Sequence, residues 1–267
     1  MENASAFFEP LGDGRFRATA ATQSPWDARM QHGGPPSALA AALIERLHPR
    51  PEMRIARISL DFLGAIPLGE IGVRTRVVRP GRRVELLEAA LECGGREVVL
   101  ARAWRIATNP EIHRSLPEGH TAPHPPVPPL ESATERRFMP AHDFGYADAL
   151  EWRFISEARE SDEAAQVWMR PRVPLIAGER LGGLERLLIC ADSANGVSSR
   201  LSFNEWLFVP PTLTVTLHRY PSDEWIFMRA ITTISDDGLG FAESMLADQH
   251  GFVGAGAHPL LIESRAT

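Results

Sequence analysis

The sequence contains no lysine, because all 28 of its basic residues are arginine. The bias of a GC-rich genome explains this more simply than a function does. Without lysine, a phosphate-binding loop of the glycine-rich type that ends in Lys is excluded. The arginines are outnumbered by 34 acidic residues, the net charge is −6, and they form no basic stripe. Nucleic acid is therefore not the expected main partner.

Cysteine and long hydrophobic runs are also scarce. Cys93 and Cys190 are far apart in the chain, which disfavours a disulfide framework and fits a reducing compartment. No apolar run approaches the roughly 18 residues that a membrane span needs, and the N-terminal residues lack a signal-peptide pattern. Hydrophobic residues make up 44% of the 267 positions, enough for a sizeable core. We expect a cytoplasmic protein with no membrane partner.

Proline, by contrast, is concentrated in one stretch. Residues 108–135 carry seven prolines and few large apolar residues. Because proline lacks a backbone N–H and restricts φ, this composition predicts a stiff connector. It divides the chain into an N-terminal unit at 1–107, the linker at 108–135 and a C-terminal unit at 136–267, which we expect to carry the active site.

Both halves show the same order of predicted elements. In the first, short strands precede "HGGPP", an alanine-rich helix over 38–47 and four strands, the last two joined by the hairpin signal "CGGR". In the second, two strands precede an apolar helical stretch at 174–196 and further strands, ending in "GFVGAGAHPLLI" at 251–262. The pattern predicts an α+β fold of two adjacent units, each with a long helix wrapped by an antiparallel sheet.

Two stretches carry a family resemblance: "HGGPPSALAAALIER" in the first half and "CADSANG" with "PPTLTVTLHRYPSDEWIFMRAITTISDDGLGFAESMLADQHGFVGAGAHPLLI" in the second. In them the chain resembles the acyl-CoA thioesterases of the double hotdog fold, the bacterial thioesterase II type. The resemblance implies two tandem hotdog units, hydrolysis of an acyl-CoA to free acid and CoA, and a part in fatty acid metabolism. It also implies a homodimer or higher homo-oligomer, with neither cofactor nor metal.

The resemblance further implies that an Asp, a Thr or Ser, and a Gln hold and activate a water. These places correspond to Asp192, Thr233 and His258, and the histidine departs from the family's pattern. Independently of the resemblance, Asp192 follows Leu184 and Leu188 at helical spacing and borders an apolar stripe. Partial burial there should raise the pKa of its carboxyl group toward that of a useful base.

Thr232 and Thr233 are neighbours on a predicted strand, so their side chains point to opposite faces of the sheet. Only one of the two can serve the site, and the match to the family selects Thr233. Its expected role is to orient the water or Asp192.

His258 follows a run of small residues in which Gly254 and Gly256 share its face. The glycines could clear space beside a site, or could let the sheet bend around the buried helix. The imidazole could donate a hydrogen bond as Gln does, or could accept a proton. Both alternatives stay open at this point. Pro259 should interrupt strand pairing just after the histidine.

The helix entry at Gly33 and Gly34 suggests substrate binding. Free N–H groups and the positive end of the helix dipole would face a thioester carbonyl oxygen there. A tight turn that needs glycine explains the same residues almost as well.

Other sites and functions are weaker. His113, His120 and His124 lie in the linker without a carboxylate or cysteine, Cys190 has no histidine nearby in sequence, and no G-x-S-x-G motif occurs. Two functional alternatives remain beside a thioesterase. One is an acyl-CoA-binding protein without catalysis, and the other is a hotdog enoyl-CoA hydratase or dehydratase.

Overall fold

The computed structural model describes residues 4–120, 123–139, 143–158 and 163–265. Its helices are α1 (Gly34–Arg46), α2 (Gly145–Asp148), α3 (Gly183–Ala191) and α4 (Ala194–Ser198). Its strands are β1 (Phe8–Gly12), β2 (Arg15–Ala18), β3 (Met53–Phe62), β4 (Glu70–Arg79), β5 (Val84–Cys93), β6 (Arg96–Ala107), β7 (Thr134–Glu135), β8 (Leu150–Ser156), β9 (Ala165–Pro171), β10 (Trp206–Val209), β11 (Thr212–Leu217), β12 (Ile226–Ile234), β13 (Gly240–Asp248) and β14 (Gly251–Ser264). Short 3-10 turns occur at Ala20–Thr22, Pro110–Ser115 and Leu130–Ser132.

The strands form one antiparallel sheet that runs through both halves of the chain. Its order is β1-β2-β4-β5-β6-β3-β11-β14-β13-β12-β9-β8-β7, and β10 pairs with β14 outside this path. The halves join where β3 pairs with β11, with Ile58 opposite Val215 and Leu60 opposite Leu213. These four side chains are fully buried, so apolar packing holds the junction together.

Helix α1 is buried along most of its length, as its composition predicts. Alanine side chains let the helix lie close to β5 and β6 without a thick layer of side chains between them. The helix begins at Gly34, four residues before the predicted start, because Pro35 and Pro36 fit its first turn. A proline there loses no hydrogen bond, since the first N–H groups of a helix have no partner within it.

The sequence suggested one helix over residues 174–196, but the structure divides this stretch. Residues near Pro174 pair with β1: the N–H of Phe7 donates to the carbonyl of Pro174 at 3.0 Å, and that of Phe8 to Leu175 at 2.9 Å. Helix α3 therefore starts only at Gly183 and ends at Ala191, with Asp192 as its C-cap residue, and α4 follows as a separate turn. The break places Asp192 at a helix end rather than in a helix interior.

Strand β14 continues through Pro259, but it changes partner there. It pairs with β11 up to Ala257 and with β10 from Leu261 onward, while its pairing with β13 runs on to Leu260. The predicted interruption after His258 therefore occurs on one edge of the strand only. Proline is tolerated at position 259 because this residue lies between the segment paired with β11 and the segment paired with β10. On that edge of the strand no N–H has to donate at this position.

The glycines of β14 serve the close approach of neighbouring groups. A Cβ on Gly254 would lie 2.3 Å from the carbonyl oxygen of Thr216, and one on Gly256 would lie 2.7 Å from Oγ of Ser244. Both distances are far below van der Waals contact. Atoms of the neighbouring strands β11 and β13 therefore fill the room beside these glycines, which favours a structural role for them over cleared space at a site.

The proline-rich linker packs against the sheet. The ring of His124 stacks on that of Phe252 with centroids 3.8 Å apart, and the indole N–H of Trp168 donates to the carbonyl of Pro128 at 3.2 Å. The side chain of His113 lies outside the described part of the structure. Among the described residues, no helix has the length and apolar character that crossing a membrane would require.

Candidate active site

The N-terminus of α1 lies beside the C-terminus of α3. A Cβ on Gly34 would stand 2.4 Å from the carbonyl oxygen of Ile189, so only glycine allows the helices this close. No side chain caps α1, whose N-cap residue is Gly33. The N–H groups of the first turn, which have no partner within the helix, and the positive end of the α1 dipole therefore face the end of α3.

Asp192 is the C-cap residue of α3 and is only 5% exposed. Its Oδ2 lies 3.0 Å from Nδ1 of His32, and the backbone N–H groups of Gly33 and Gly34 donate to its carboxyl group. A Cβ on Gly33 would come within 2.8 Å of Oδ2. The other oxygen, Oδ1, is buried and has no hydrogen-bond partner among the described residues.

Burial raises the pKa of Asp192 to about 8, and the N–H groups of Gly34 and Gly33 offset only part of this effect. Desolvation penalises the carboxylate more than two backbone donors stabilise it. The carboxyl group therefore holds its proton at neutral pH and is a stronger base once ionised than an exposed aspartate. Partial burial was expected from the sequence, but the contact with α1 was not.

His258 lies on β14 behind the same helix end and is fully buried. Its Nε2 is 3.4 Å from the carbonyl oxygen of Ala191, while its Nδ1 has no hydrogen-bond partner among the described residues. Burial lowers the pKa of this imidazole to about 4, although the Ala191 carbonyl acts in the opposite direction. The ring is therefore neutral at physiological pH, which suits a hydrogen-bonding role better than that of a base.

Thr233 is not brought to the site. Its side chain is exposed and lies opposite Phe241, on the outer face of the sheet. Thr232 faces inward instead, in one row with Ala242 and His258, and its hydroxyl is 2.6 Å from that of Ser198 on α4. Because the side chains of a strand alternate, the inward position falls on Thr232 and not on Thr233.

Sequence reasoning missed two residues of the site, His32 and Tyr146. Their rings stack with centroids 3.7 Å apart and planes 4° from parallel. The Tyr146 hydroxyl donates to the carbonyl of Ile189 at 2.6 Å and lies 2.7 Å from Oγ of Ser193. The histidine was visible in "HGGPP", but its partner is more than 100 residues away, so no local pattern could pair them.

A cavity of about 500 Å³ opens onto this group of residues. Its wall is largely apolar and drawn from both halves of the chain. The lining residues are Ser24, Trp26, Asp27, Met30, Gln31, His32, Gly33, Phe62, Gly64, Ala65, Ile66, Asp192, Asn195, Leu207, Val209, Pro210, Pro211 and Leu261. A largely apolar pocket whose lining includes a buried carboxyl group and the N-cap residue of a helix is typical of a site for a small, partly apolar substrate.

Buried helices wrapped by a large antiparallel sheet define a protein of the hotdog fold, and three solved structures share it. A hot dog fold protein from Alicyclobacillus acidocaldarius has a TM-score of 0.73 at 17% identity, covering 100% of this chain and 98% of its own. A tesB protein from Mycobacterium avium subs paratuberculosis has a TM-score of 0.67 at 16% identity, with 97% and 96% covered. The acyl-CoA thioesterase II TesB2 from Mycobacterium marinum has a TM-score of 0.64 at 13% identity, with 97% and 96% covered.

The family follows from the sequence match. Residues 22–106 match the acyl-CoA thioesterase N-terminal domain, and residues 120–262 match the acyl-CoA thioesterase C-terminal domain. The chain belongs to the acyl-CoA thioesterase family and is a thioester hydrolase. This confirms the family resemblance and the expected class of substrate. No curated protein matches the chain.

Proposed function

We propose that the chain hydrolyses acyl-CoA thioesters in the cavity beside Asp192, with this carboxyl group as the base that activates water. One observation carries the proposal: a buried carboxyl oxygen without a partner, Oδ1, belongs to a residue that lines the cavity. Since buried polar atoms normally have hydrogen-bond partners, this oxygen suits a water or a reacting group.

The proposed reaction is direct attack by water. A proton of the water passes to Asp192, and the water oxygen bonds to the thioester carbonyl carbon. The carbonyl oxygen becomes an oxyanion at the positive end of α1, where Gly33 lines the cavity. The C=O double bond then re-forms as the carbon–sulfur bond breaks, and the sulfur of CoA takes the proton that Asp192 received from the water.

His258 assists this reaction by position rather than by accepting a proton. Its lowered pKa keeps the ring neutral, and its Nε2 faces the carbonyl of Ala191, the residue before Asp192. Gly34 acts differently from Gly33, since it does not line the cavity and packs on Ile189. A role for Thr233 has no support in the geometry, because its side chain is exposed on the other face.

The proposal includes a tandem double hotdog with units at 1–107 and 136–267. Its support is the strand order, in which β1 to β6 are contiguous on one side and β7 to β9 and β11 to β14 on the other. The cytoplasmic location and the homo-oligomeric state expected from the sequence stay predictions.

The direct test is release of free thiol from a panel of acyl-CoAs that differ in chain length and branching. We expect release with at least one of them, and its loss in Asp192→Asn. Thermal stabilisation by an acyl-CoA without thiol release would favour the binding alternative. Loss of conjugation from an enoyl-CoA without thiol release would favour the hydratase alternative.

A further inference from the structure

The His32 side chain contacts Asp192, with Nδ1 3.0 Å from Oδ2, and its ring is held in place by a stacked neighbour. Its side chain is 13% exposed, and its ring lies flat against Tyr146, with centroids 3.7 Å apart. Tyr146 is itself anchored to Ile189 and Ser193 by its hydroxyl group. The imidazole therefore cannot turn away from Asp192 without losing its stack on an anchored ring and its contact with Gly34.

The contact between His32 and Asp192 requires one proton. Nδ1 of His32 and Oδ2 of Asp192 are 3.0 Å apart, which for two acceptor atoms is possible only with a hydrogen between them. The N–H of Gly34, which also faces the Asp192 carboxyl group, points at the same Nδ1 from 3.2 Å, and this favours a lone pair over a hydrogen on that nitrogen. The proton in the resting state accordingly belongs to Oδ2, and the imidazole is neutral with its hydrogen on Nε2.

The surrounding charges are consistent with this assignment. Burial lowers the pKa of His32 to about 3, with a further contribution from His258, while burial raises that of Asp192 to about 8. Of the other titratable groups, Tyr146 stacks on His32 and Cys190 acts on Tyr146, and burial raises the pKa of both. Asp27 lines the same cavity. At neutral pH the pair therefore carries one proton and no net charge.

We propose that His32 and Asp192 act as one proton-sharing pair, in which His32 accepts the Oδ2 proton while Oδ1 takes a proton from the attacking water. This role rests on the proposed function, since it needs a water attacking a thioester. It gives the protein a base at pH values where Asp192 alone would hold its proton and be unable to accept another.

The atoms balance in both steps. As the water oxygen bonds to the carbonyl carbon, its O–H bond breaks and the proton goes to Oδ1. The Oδ2 proton passes to Nδ1, and the oxyanion is balanced by the imidazolium. When the carbon–sulfur bond breaks, the sulfur takes the proton from Oδ1, and Nδ1 returns its proton to Oδ2. The free acid and CoA leave, and the pair is restored.

Two variants of His32 separate the proton-sharing role from a structural one. His32→Asn keeps a polar group near Oδ2 but cannot take a proton, whereas His32→Phe keeps a ring for the stack on Tyr146 and has no nitrogen. His250→Asn is the matched control, because His250 is exposed in the turn between β13 and β14. Melting curves and circular dichroism show whether each variant is folded.

The decisive activity readout is the pH profile of kcat. In the wild type we expect a shallow profile between pH 6 and 8, because the neutral pair is active. In His32→Asn only ionised Asp192 can act, so kcat should fall about 10²-fold at pH 6 and rise steeply with pH, with KM little changed. His250→Asn should follow the wild type. Equal falls at all pH values in both His32 variants, or a wild-type profile in His32→Asn, would overturn the proposal.

A second readout needs no activity. In ¹⁵N NMR of histidine-labelled protein, we expect a buried neutral imidazole with hydrogen on Nε2, whose Nδ1 signal shifts as Asp192 loses its proton near pH 8. The shift should be absent in Asp192→Asn, and the signal should disappear in His32→Phe. An imidazolium at neutral pH, or an Nδ1 signal indifferent to Asp192→Asn, would contradict the pair. Failure of the proposed function would look different: the NMR result would hold while the wild type released thiol from no acyl-CoA.

Discussion

Helices α1 and α3 meet at both of their ends, and the two junctions differ. The Asp192 junction joins the start of α1 (His32, Gly33, Gly34) to the end of α3 (Ile189, Asp192). The Glu185 junction joins the end of α1 (Glu45, Arg46, Leu47) to the start of α3 (Gly182, Glu185), with Glu179 close to Arg46. Each junction combines a glycine at the start of one helix with the end of the other helix. The Asp192 junction lines the cavity through His32, Gly33 and Asp192, whereas no residue named for the Glu185 junction lines it.

At the Glu185 junction the polar groups satisfy one another. The N–H of Gly182 donates to Glu185 within the same turn at 2.8 Å, and the hydroxyl of Tyr220 donates to Glu45 at 2.8 Å. The C-cap residue of α1 is the apolar Leu47, whereas the C-cap residue of α3 is Asp192. The comparison teaches that a glycine at a helix start is not sufficient for a site. A carboxyl group must meet the free N–H groups, and one of its atoms must remain unpaired.

The largest effect should come from removing the carboxyl group at the Asp192 junction. Asp192→Asn keeps the size of the side chain but removes the base, so kcat should fall by about 10² to 10⁴ in the thiol-release assay. Glu185→Gln changes the corresponding carboxyl group at the other junction and should leave kcat within about twofold. Equal losses in the two variants would show that the junctions do not differ in the way we describe.

Alanine substitution of the glycine at each helix start should also lower activity more at the Asp192 junction than at the Glu185 junction. A Cβ on Gly33 would meet Asp192 Oδ2 and the ring of Phe62, each at 2.8 Å, whereas one on Gly182 would approach Glu185 no closer than 3.4 Å. We expect Gly33→Ala to lower kcat/KM by about 10 to 10², because it displaces the carboxyl group by steric contact. Gly182→Ala, with an ordinary negative φ of −76°, should keep nearly full activity. Full activity of Gly33→Ala would mean that Asp192 tolerates displacement.

Replacing His258 should have a smaller effect. His258→Gln restores the residue that the family has in this place and keeps a donor toward the Ala191 carbonyl, so kcat should stay within about tenfold of the wild type. His258→Leu removes the donor and leaves that buried carbonyl with one contact fewer, at a cost of about 1 to 3 kcal/mol in unfolding free energy. A loss of 10² or more in His258→Gln, measured as kcat across pH, would make this histidine the base.

The stability of the Asp192 junction should depend on pH. The pKa of Asp192 is higher in the folded state, about 8, than the ordinary 3.8, so the folded state favours its proton. Its contribution to stability is complete below the ordinary pKa and is lost as pH rises through 8. Asp192→Asn should therefore melt several degrees above the wild type at pH 8.5, with a smaller difference at pH 5. An unchanged difference between these pH values would show that the carboxyl group is ionised throughout.

The two threonines of β12 should give the smallest effects. Thr233→Val changes an exposed side chain and should alter neither kcat nor the melting temperature measurably. Thr232→Val removes the partner of the Ser198 hydroxyl and should lower the unfolding free energy by about 1 kcal/mol. A marked loss of kcat in Thr233→Val would restore the choice made from the sequence.

Much of the fold could be predicted from local patterns. The strands at 70–79, 96–107 and 240–248 lie within two residues of the apolar runs that predicted them, because alternation and turn residues act over short distances. The stretch at 174–196 could not be divided correctly. Its first residues are apolar enough for a helix, but they pair with β1, which lies more than 150 positions earlier.

The candidate site was predicted in part. Asp192 and His258 were proposed from the sequence, and the structure places both beside the end of α3, while their roles stay predictions. The match to the family selected Thr233, whereas the structure has Thr232 on the inner face of the sheet. A difference of one residue along a strand is enough to move a side chain to the opposite face. The role of His32 could not be inferred, because "HGGPP" is explained equally well by a tight turn and a proline-led helix.

By itself, the sequence determined the class of fold, the family and the residue types available for chemistry. These depend on composition, periodicity and runs of residues that are contiguous in the chain. Only the tertiary structure decided which of those residues act together. The close packing of α1 on α3, possible because Gly34 lacks a Cβ, sets His32 3.0 Å from an aspartate 160 positions away and buries both. That burial changes their pKa values, and neither the distance nor the burial is encoded in any local pattern.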